Sequence, residues 1–220
     1  INVPTDTTYT TSSFDFNVSL NENGSVMFSL DGGTTNYTMD STDNQNFNYT
    51  NSSVNDGSYT FQVYANDTLG NTNHTESVDF VVDTTSPSLA IVSPANNTNS
   101  SDNGLDILYT ATDSNLDSCW YSNDTYSENT TLSGCANITS VTWSEGAHNV
   151  TVWANDTSGN ENSTLIIFTI DTTYPTFDIT HPLNQTYTSV QIAFGHGSSD
   201  TNLDTCWYSV DEGITNVTIS

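Results

Sequence analysis

Residues 146–160 read G-A-H-N-V-T-V-W-A-N-D-T-S-G-N, and this stretch predicts a β-strand followed by a tight turn. Val150, Val152 and Ala154 recur at every second position, which is the period of a strand with one buried face. Asp156 and Gly159 are typical turn residues. The return stretch at 165–171, L-I-I-F-T-I-D, is rich in β-branched and aromatic residues. We therefore expect a β-hairpin over residues 145–171.

The hairpin pattern occurs a second time, at residues 56–83, as D-G-S-Y-T-F-Q-V-Y-A-N-D-T-L-G-N followed by V-D-F-V-V-D. Here Tyr59, Phe61, Val63 and Ala65 occupy the inward positions. Equivalent residues of the two copies are 88 or 89 positions apart. Such a period matches the length of one small β-sandwich domain, so the sequence predicts tandem repeats of an all-β fold.

The period divides the chain into three units, namely residues 1–83, residues 84–171 and a partial third unit at residues 172–220. Nearly identical linkers separate them, D-T-T-S-P at 83–87 and D-T-T-Y-P at 171–175. Two threonines and a proline are too short and stiff for a flexible tether. We expect the third unit to continue beyond residue 220 or to be completed by another chain.

Each unit is expected to begin with a short edge strand that ends at a proline, at residues 1–4, 91–94 and 179–182, because proline cannot donate to a β-ladder. A second strand follows, and a later short strand is expected near residues 47–49 and 138–143. The residues predicted to point inward from the second strand are Phe14, Phe16, Val18 and Leu20 in the first unit, Ile107, Tyr109 and Ala111 in the second, and Val190, Ile192 and Phe194 in the third.

The cysteines lie on equivalent strands. N-L-D-S-C-W-Y-S at 115–122 and N-L-D-T-C-W-Y-S at 202–209 align with the first unit so that Val26 stands where the others have Cys119 and Cys206. Both cysteines should therefore point inward. Cys135 is the expected partner of Cys119, and closing a loop of 16 residues stabilises a fold by about 3 kcal/mol. Cys206 is expected to pair outside residues 1–220, with a free buried thiol as the alternative. This use of cysteine favours an oxidising compartment.

Charge excludes several classes of partner. The chain has 26 acidic residues and no lysine or arginine, so it cannot neutralise nucleic-acid phosphates or bind an anionic lipid surface. It has no apolar run of about 18 residues, so no membrane insertion is expected in this segment. Low hydrophobicity with high net charge is also the signature of disorder, but the strict apolar alternation argues against it.

Sugar attachment is the best-supported chemistry. The chain contains 17 N-x-S/T triplets, about twice the roughly 8 or 9 that its composition predicts by chance. The alternative is that asparagine and threonine simply fill a polar β surface. The candidate sites for covalent N-glycans are Asn17, Asn23, Asn36, Asn48, Asn51, Asn66, Asn73, Asn96, Asn99, Asn123, Asn129, Asn137, Asn149, Asn155, Asn162, Asn184 and Asn216.

No cofactor is expected, and calcium is a weak candidate. Asp67 and Asp156 in the hairpin turns, and Asp83 and Asp171 at the linkers, could supply oxygen ligands. The carboxylates come singly, however, and aspartate before glycine is an ordinary turn residue. The histidines form no zinc-like pair, and His148 takes the position that Tyr59 has in the first unit. No nucleophile with a base and an orienting group stands out, so we do not expect an enzyme.

The remaining aromatic residues fall on the outward positions of the strands. Trp120, Trp153 and Trp207 alternate with the predicted core, as Met27 and Tyr64 do in the first unit. An outer aromatic face can bind carbohydrate or pack against a neighbouring chain. The alternative is that loops or glycans cover it.

The stretches C-W-Y-S, G-A-H-N-V-T-V-W-A-N-D-T-S-G-N and F-T-I-D-T-T-Y-P resemble the immunoglobulin-like repeats of long archaeal and bacterial surface proteins. The resemblance covers residues 1–220, and its strongest signal is the A-x-D-x-x-G-N turn at 65–71 and 154–160. It implies tandem Greek-key β-sandwich domains with D-T-T-x-P linkers, in an archaeal or bacterial stalk, adhesin, filament or cell envelope. It implies no catalytic residue. The first unit departs from the pattern because it lacks cysteines.

Two functions follow as hypotheses. The first is a structural, glycosylated rod, located outside the cell or on its surface, that self-associates into a filament, stalk or surface layer. An exposed sheet edge that accepts a strand from another copy would be one route to such assembly. The second is an adhesin that binds glycans or a partner protein through its outer aromatic face. The near-identity of the linkers and hairpins favours the first.

Overall fold

The computed structural model describes residues 1–124 and 128–219, and β-strands account for its regular structure except for one short 3-10 turn. The first unit (residues 1–83) contains β1 Thr8–Tyr9, β2 Phe14–Ser19, β3 Gly24–Ser29, β4 Tyr37–Thr38, β5 Asp40–Ser41, β6 Asn46–Asn51, β7 Gly57–Asp67, β8 Thr72–Asn73 and β9 Ser77–Val82. The second unit (residues 84–171) contains β10 Ser88–Ser93, β11 Thr98–Ser100, β12 Leu108–Thr112, β13 Leu116–Asn123, β14 Thr130–Leu132, the 3-10 turn Ser133–Cys135, β15 Gly146–Asp156 and β16 Glu161–Ile170. The third unit (residues 172–220) contains β17 Thr176–His181, β18 Gly195–Ser199, β19 Cys206–Tyr208 and β20 Val217–Ile219.

Two sheets enclose the core of the first unit. One has the order β1-β9-β7-β3-β4, and the other has the order β2-β6-β5. The N-terminal segment contributes to both, since Val3 bridges to Asn17 of β2 whereas β1 runs parallel to β9. The core is aromatic, and the ring of Phe16 stacks on those of Phe28 and Phe61 at centroid distances of 5.1 and 5.0 Å. Packing of these rings holds the two sheets together.

The second unit repeats this arrangement. Its larger sheet has the order β11-β16-β15-β13-β14, with β11 parallel to β16 as β1 is to β9. β10 pairs with β12 on the opposite side. Val150, Val152 and Ala154 are fully buried against Phe168, so the predicted hairpin is confirmed and its inward positions are the expected ones. The strand expected near residues 138–143 is reduced to a single bridge between Ile138 and Ile107, with Trp143 buried outside any strand.

The third unit differs from the other two. Its strands form two separate pairs, β17 with β18 and β19 with β20, and no hairpin equivalent to β15–β16 lies over them in the described residues. Its large apolar side chains are therefore exposed, among them Phe177, Ile179 and Trp207. We expected Val190, Ile192 and Phe194 to form its second strand, and this was wrong. The register with β17 places His196 opposite Ile179, as Tyr109 lies opposite Ile91.

The predicted all-β class is confirmed. Each of the two buried core clusters draws its residues from one predicted unit, the first from within residues 1–83 and the second from within residues 84–171. The proline near the end of the first strand segment recurs in all three units, and the peptide bond before Pro4, Pro94 and Pro182 is cis. Among the described residues, no helix has the length and apolar character needed to cross a membrane.

Candidate functional site

The linker between the first and second units is anchored by the side chain of Asp83. This residue follows the last strand of the first unit and is 8 % exposed. Its Oδ2 accepts a hydrogen bond from the Ser158 hydroxyl at 2.7 Å and another from Asn115 Nδ2 at 3.2 Å. Its backbone carbonyl accepts a third from Asn160 Nδ2 at 2.8 Å. Three side chains of the second unit therefore converge on one residue of the first.

The turn between β15 and β16 positions two of these donors. Oδ1 of Asp156 accepts hydrogen bonds from the backbone amides of Ser158 and Asn160, and its Oδ2 accepts one from Asn160 Nδ2. Gly159 completes the turn with a φ of 92°, a left-handed conformation that glycine adopts without steric cost. The A-x-D-x-x-G-N pattern thus forms a rigid turn whose Ser158 and Asn160 face the linker.

The linker is also bonded to the unit that precedes it. Asp56, just before β7, accepts hydrogen bonds from the backbone amide and hydroxyl of Thr84 and from the hydroxyl of Thr85. Glu145, just before β15, accepts the equivalent bonds from the amide and hydroxyl of Thr172. In both linkers, therefore, the first threonine of the D-T-T-x-P pattern bonds to an acid of the preceding unit.

The second linker repeats part of the contact to the following unit. Asp171 Oδ2 accepts a hydrogen bond from Asn202 Nδ2, and Asn202 is the residue equivalent to Asn115. The same pair of residue types thus holds both linkers, 87 or 88 positions apart.

The four aspartates considered for calcium have their oxygens engaged by hydrogen bonds. In the first unit Asp67 accepts bonds from Asn71 Nδ2 and from the amides of Asn71 and Leu69, which lower the pKa of its carboxyl below the ordinary value. Burial acts to raise the pKa of Asp156, but the equivalent turn bonds outweigh it and the pKa is lowered. Within residues 1–124 and 128–219, no group of three histidine, cysteine, aspartate or glutamate side chains is placed to hold a metal ion.

A second recurrent turn was missed from the sequence. After β3, the Ser29 hydroxyl donates to Asp31 Oδ1 at 2.7 Å and accepts from the amide of Gly33, while Asp31 Oδ1 accepts from the amide of Thr35. Residues 209–215 form the same bonds after β19. The shared pattern S-x-D-x-G-x-T could have revealed it, but only two of the three units carry it.

Two large outward side chains form a pair across two central strands in each of the first two units. Trp120 of β13 lies opposite Trp153 of β15, with parallel rings whose centroids are 6.3 Å apart. Met27 of β3 lies opposite Tyr64 of β7 in the first unit, and Met27 is 40 % exposed. Trp207 is 59 % exposed on β19. These side chains lie on the faces of the sheets that point away from the cores.

The asparagines of the N-x-S/T triplets lie at the surface. Fourteen of the 17 are exposed and the other three, Asn17, Asn51 and Asn155, are half-buried. Thr125, which completes the triplet of Asn123, lies outside the described residues. The position of these side chains is compatible with sugar attachment, which stays a prediction.

Cys119 and Cys135 are joined by a disulfide, with their Cα atoms 5.0 Å apart. Cys119 is fully buried in the core of the second unit, at the position that Val26 occupies in the first. Cys206 is a free thiol, and its Sγ lies 3.4 Å from Ser198 Oγ.

Residues 5–84 match the family model described as the bacterial Ig-like domain. The comparison with curated proteins found no match. Similar solved structures include fibronectin(III)-like modules of Clostridium thermocellum CbhA, with 16 % identity over 77 % of this chain and 91 % of that chain and a TM-score of 0.43. Drosophila N-cadherin EC1-4 has 13 % identity, coverage of 85 % and 54 %, and a TM-score of 0.30. A 1.5-MDa bacterial ice-binding adhesin has 16 % identity, coverage of 78 % and 63 %, and a TM-score of 0.30.

The family match and the two-sheet arrangement together identify the fold as an all-β Ig-like sandwich. Domains with this fold host many functions, so the function of this chain has to be argued from its own residues.

Proposed function

We propose that this chain is an extracellular, N-glycosylated rod of Ig-like domains that associates with copies of itself into a filament, stalk or surface layer. The domains would be residues 1–83, residues 84–171 and a third that begins at residue 172. The observation that carries the proposal is the repeated linker, in which Asp83 bonds to Asn115, Ser158 and Asn160 and Asp171 bonds to Asn202.

A linker bonded on both sides transmits orientation from one domain to the next. Asp56 and Glu145 hold the linker threonines from one side, and the turn at residues 156–160 holds Asp83 from the other. A structural rod needs this property, whereas a binding module needs only one distinctive domain. The absence of lysine and arginine adds support, because it leaves no basic patch for an anionic ligand.

The proposal is tested by electron microscopy and small-angle X-ray scattering of the native glycoprotein and of an Asp83→Ala variant. Thin filaments or straight rods in the native sample, with a broader distribution of bend angles in the variant, are the expected results. A Glu22→Gln variant serves as the control, because Glu22 is an exposed acid that makes no contact with the linker. Compact single particles without carbohydrate would contradict the proposal.

A second candidate function, that of an adhesin, is favoured by the parallel Trp120–Trp153 pair on the outer face. Calorimetric titration with neutral oligosaccharides would support it if binding is detected and is lost in a Trp120→Ala variant.

A further inference from the structure

We infer that the N-linked sugars at Asn66 and Asn155 fold back onto the outward side-chain pairs of their own domains. The sugar at Asn66 would pack on Tyr64 and Met27, and the sugar at Asn155 would pack on Trp153 and Trp120. The inference rests on the proposed glycosylation and assigns a role to two particular sites. It also gives the outer aromatic face an occupant that belongs to the same chain.

The first observation behind the inference is the spacing between an aromatic residue and the asparagine of a triplet. The sequences Y-A-N-D-T at 64–68 and W-A-N-D-T at 153–157 place an aromatic residue two positions before the asparagine of a triplet. Alternate residues of a strand point to the same face, so Tyr64 and Asn66 of β7 are neighbours on the outer face, roughly 7 Å apart along the strand. Trp153 and Asn155 of β15 have the same relationship.

Orientation distinguishes these two sites from others that share the spacing. Asn51 and Asn123 also follow an aromatic residue by two positions, namely Tyr49 and Tyr121. Both of those tyrosines pack against the buried cores, on the inner faces of their sheets. Among these four sites, only Asn66 and Asn155 have the aromatic ring on the outer face of the sheet, which is the face that carries the asparagine.

The first unit has a groove at the expected place. A cavity of about 460 Å³ lies on the outer face and is lined by Met27, Tyr64, Asn66, Asn73 and His74, among others. Its volume falls in the range of roughly 300–1,000 Å³ that is typical of small-molecule sites. The imidazole of His74 lies near-parallel to the Tyr64 ring, with centroids 6.4 Å apart, and extends the aromatic surface. Since Asn66 forms part of the wall, a sugar attached there enters the groove without crossing solvent.

The asparagine side chains are available for the attachment. Within the part of the chain that the structure describes, the exposed Asn66 side chain makes no hydrogen bond. In the second unit the Ser118 amide and hydroxyl donate to Asn155 Oδ1 at 3.1 and 2.6 Å. Those bonds engage the carbonyl oxygen, and the sugar attaches to the amide nitrogen. The Ser118 contacts therefore orient Nδ2 without blocking it.

The chemistry requires a phosphate-activated sugar donor and a transferase from the cell. A bond forms between asparagine Nδ2 and the sugar C1, the bond between C1 and the phosphate oxygen breaks, and Nδ2 loses one proton. The C–H face of a neutral sugar ring is apolar, so it packs on an aromatic ring while the hydroxyls remain in water. A chain with 26 acids and no lysine or arginine favours a neutral sugar over an acidic one at this face.

The test combines glycopeptide mass spectrometry and NMR of the full-length native glycoprotein. We expect occupancy at Asn66 and Asn155, and nuclear Overhauser contacts from the first sugar on Asn66 to the Tyr64 ring. Thermal unfolding of four forms, the parent, Asn66→Gln, Tyr64→Thr and the double variant, adds a second readout. The glycan at Asn66 should raise the unfolding midpoint by about 3 °C when Tyr64 is present and should have no effect in the Tyr64→Thr background, which lacks the ring.

The control is the Asn48 triplet, whose asparagine is exposed and preceded at the second position by Asn46 rather than an aromatic residue. Its glycan should give no contact to a ring and no change that depends on Tyr64. Occupied Asn66 without ring contacts, or an empty Asn66 beside occupied sites such as Asn48, would overturn this inference and leave the glycosylated rod intact. Absence of sugar at all 17 triplets would overturn both.

Discussion

His148 Nδ1 lies 2.9 Å from Asp124 Oδ2, and this contact pairs a buried imidazole with a carboxylate in a chain that has no lysine or arginine. The other ring nitrogen lies 2.9 Å from the backbone carbonyl oxygen of Ser144. Each of the two ring nitrogens of His148 therefore faces an oxygen atom that can accept a hydrogen bond. In the first unit Tyr59 takes the same position, and its hydroxyl donates a hydrogen bond to the carbonyl of Asn55. Asn55 precedes Tyr59 by four residues, as Ser144 precedes His148.

Replacing His148 by phenylalanine should destabilise the second unit by about 1–3 kcal/mol, because the Ser144 carbonyl and the Asp124 carboxylate lose their part-buried hydrogen-bond partner. Tyrosine at this position should cost less, since its hydroxyl can donate to Ser144 as Tyr59 donates to Asn55. Trp120, Trp143 and Trp153 lie in the second unit, Trp207 lies in the third and the first unit has none, so a Trp207→Phe background makes tryptophan fluorescence during urea unfolding a probe of the second unit. Equal losses in the two variants would show that the carbonyl contact is unimportant.

Reduction of the Cys119–Cys135 disulfide should lower the stability of the second unit by about 3 kcal/mol, the value for releasing a loop of 16 residues. The first unit has no cysteine and should be unaffected. Hydrogen exchange of β7 and β15, measured with and without reductant, separates the two units. A Cys206→Ser variant controls for the free thiol. A similar loss of protection in both strands would mean that the units do not unfold independently.

Strand alternation predicted which residues of the central hairpins are buried, because most residues on the inner face of a sheet are apolar, and His148 is the exception in β15. The outward positions of Trp120 and Trp153 followed from the same rule. Alternation failed in the third unit. The strand there is Gly195–Ser199, which is polar, whereas the alternating apolar residues just before it wrongly indicated a strand. The residues that pair with β17 are determined by the register between the two strands, and a sequence pattern does not encode that register.

The linker contacts could not be predicted from the sequence pattern either. The repeated spacing of the linkers and turns was visible, but aspartate and asparagine in a turn satisfy their own backbone as readily as a neighbouring domain. Only the packed structure shows that Asn160 does both, bonding to Asp156 within the turn and to the carbonyl of Asp83. The same ambiguity explains why the turn aspartates resembled calcium ligands.

Acidification should destabilise the turn after β3. A hydrogen bond from the Thr35 amide, with others from Ser29 and Thr35, lowers the pKa of Asp31 from 3.8 to about 2. Because the folded pKa is below the unfolded one, the contribution is fully present above pH 3.8 and is lost as the pH falls towards 2. Thermal unfolding of the parent and of Asp31→Asn from about pH 7 to pH 2 should therefore give curves that converge below about pH 3. Glu22→Gln, outside the turn, is the control. Parallel curves would contradict the prediction.

Added salt should stabilise the folded chain over a wide range of ionic strength. Raising the ionic strength from about 0.01 to 0.15 M shortens the screening length from about 30 to 8 Å, which weakens the repulsion among 26 acidic side chains. We expect the unfolding midpoint to rise, and calcium and magnesium chlorides to act equally at matched ionic strength. A clearly larger effect of calcium would point to a specific site, and Asp67→Asn and Asp156→Asn would then show whether the turn aspartates supply it.

The linker bonds at Asp83 come from uncharged amide and hydroxyl groups, and the carboxylate that receives them is nearly buried. Salt screens pairs of exposed charges, but it has little effect on a buried acceptor with neutral donors. The bending stiffness of the chain should therefore stay constant between fresh water and brine, while the distance that neighbouring chains keep from one another changes with the salt. The stiffness of each chain and the lateral spacing between chains would then be independent properties of the assembly. The linker would determine the stiffness, and the acidic surface would determine the spacing.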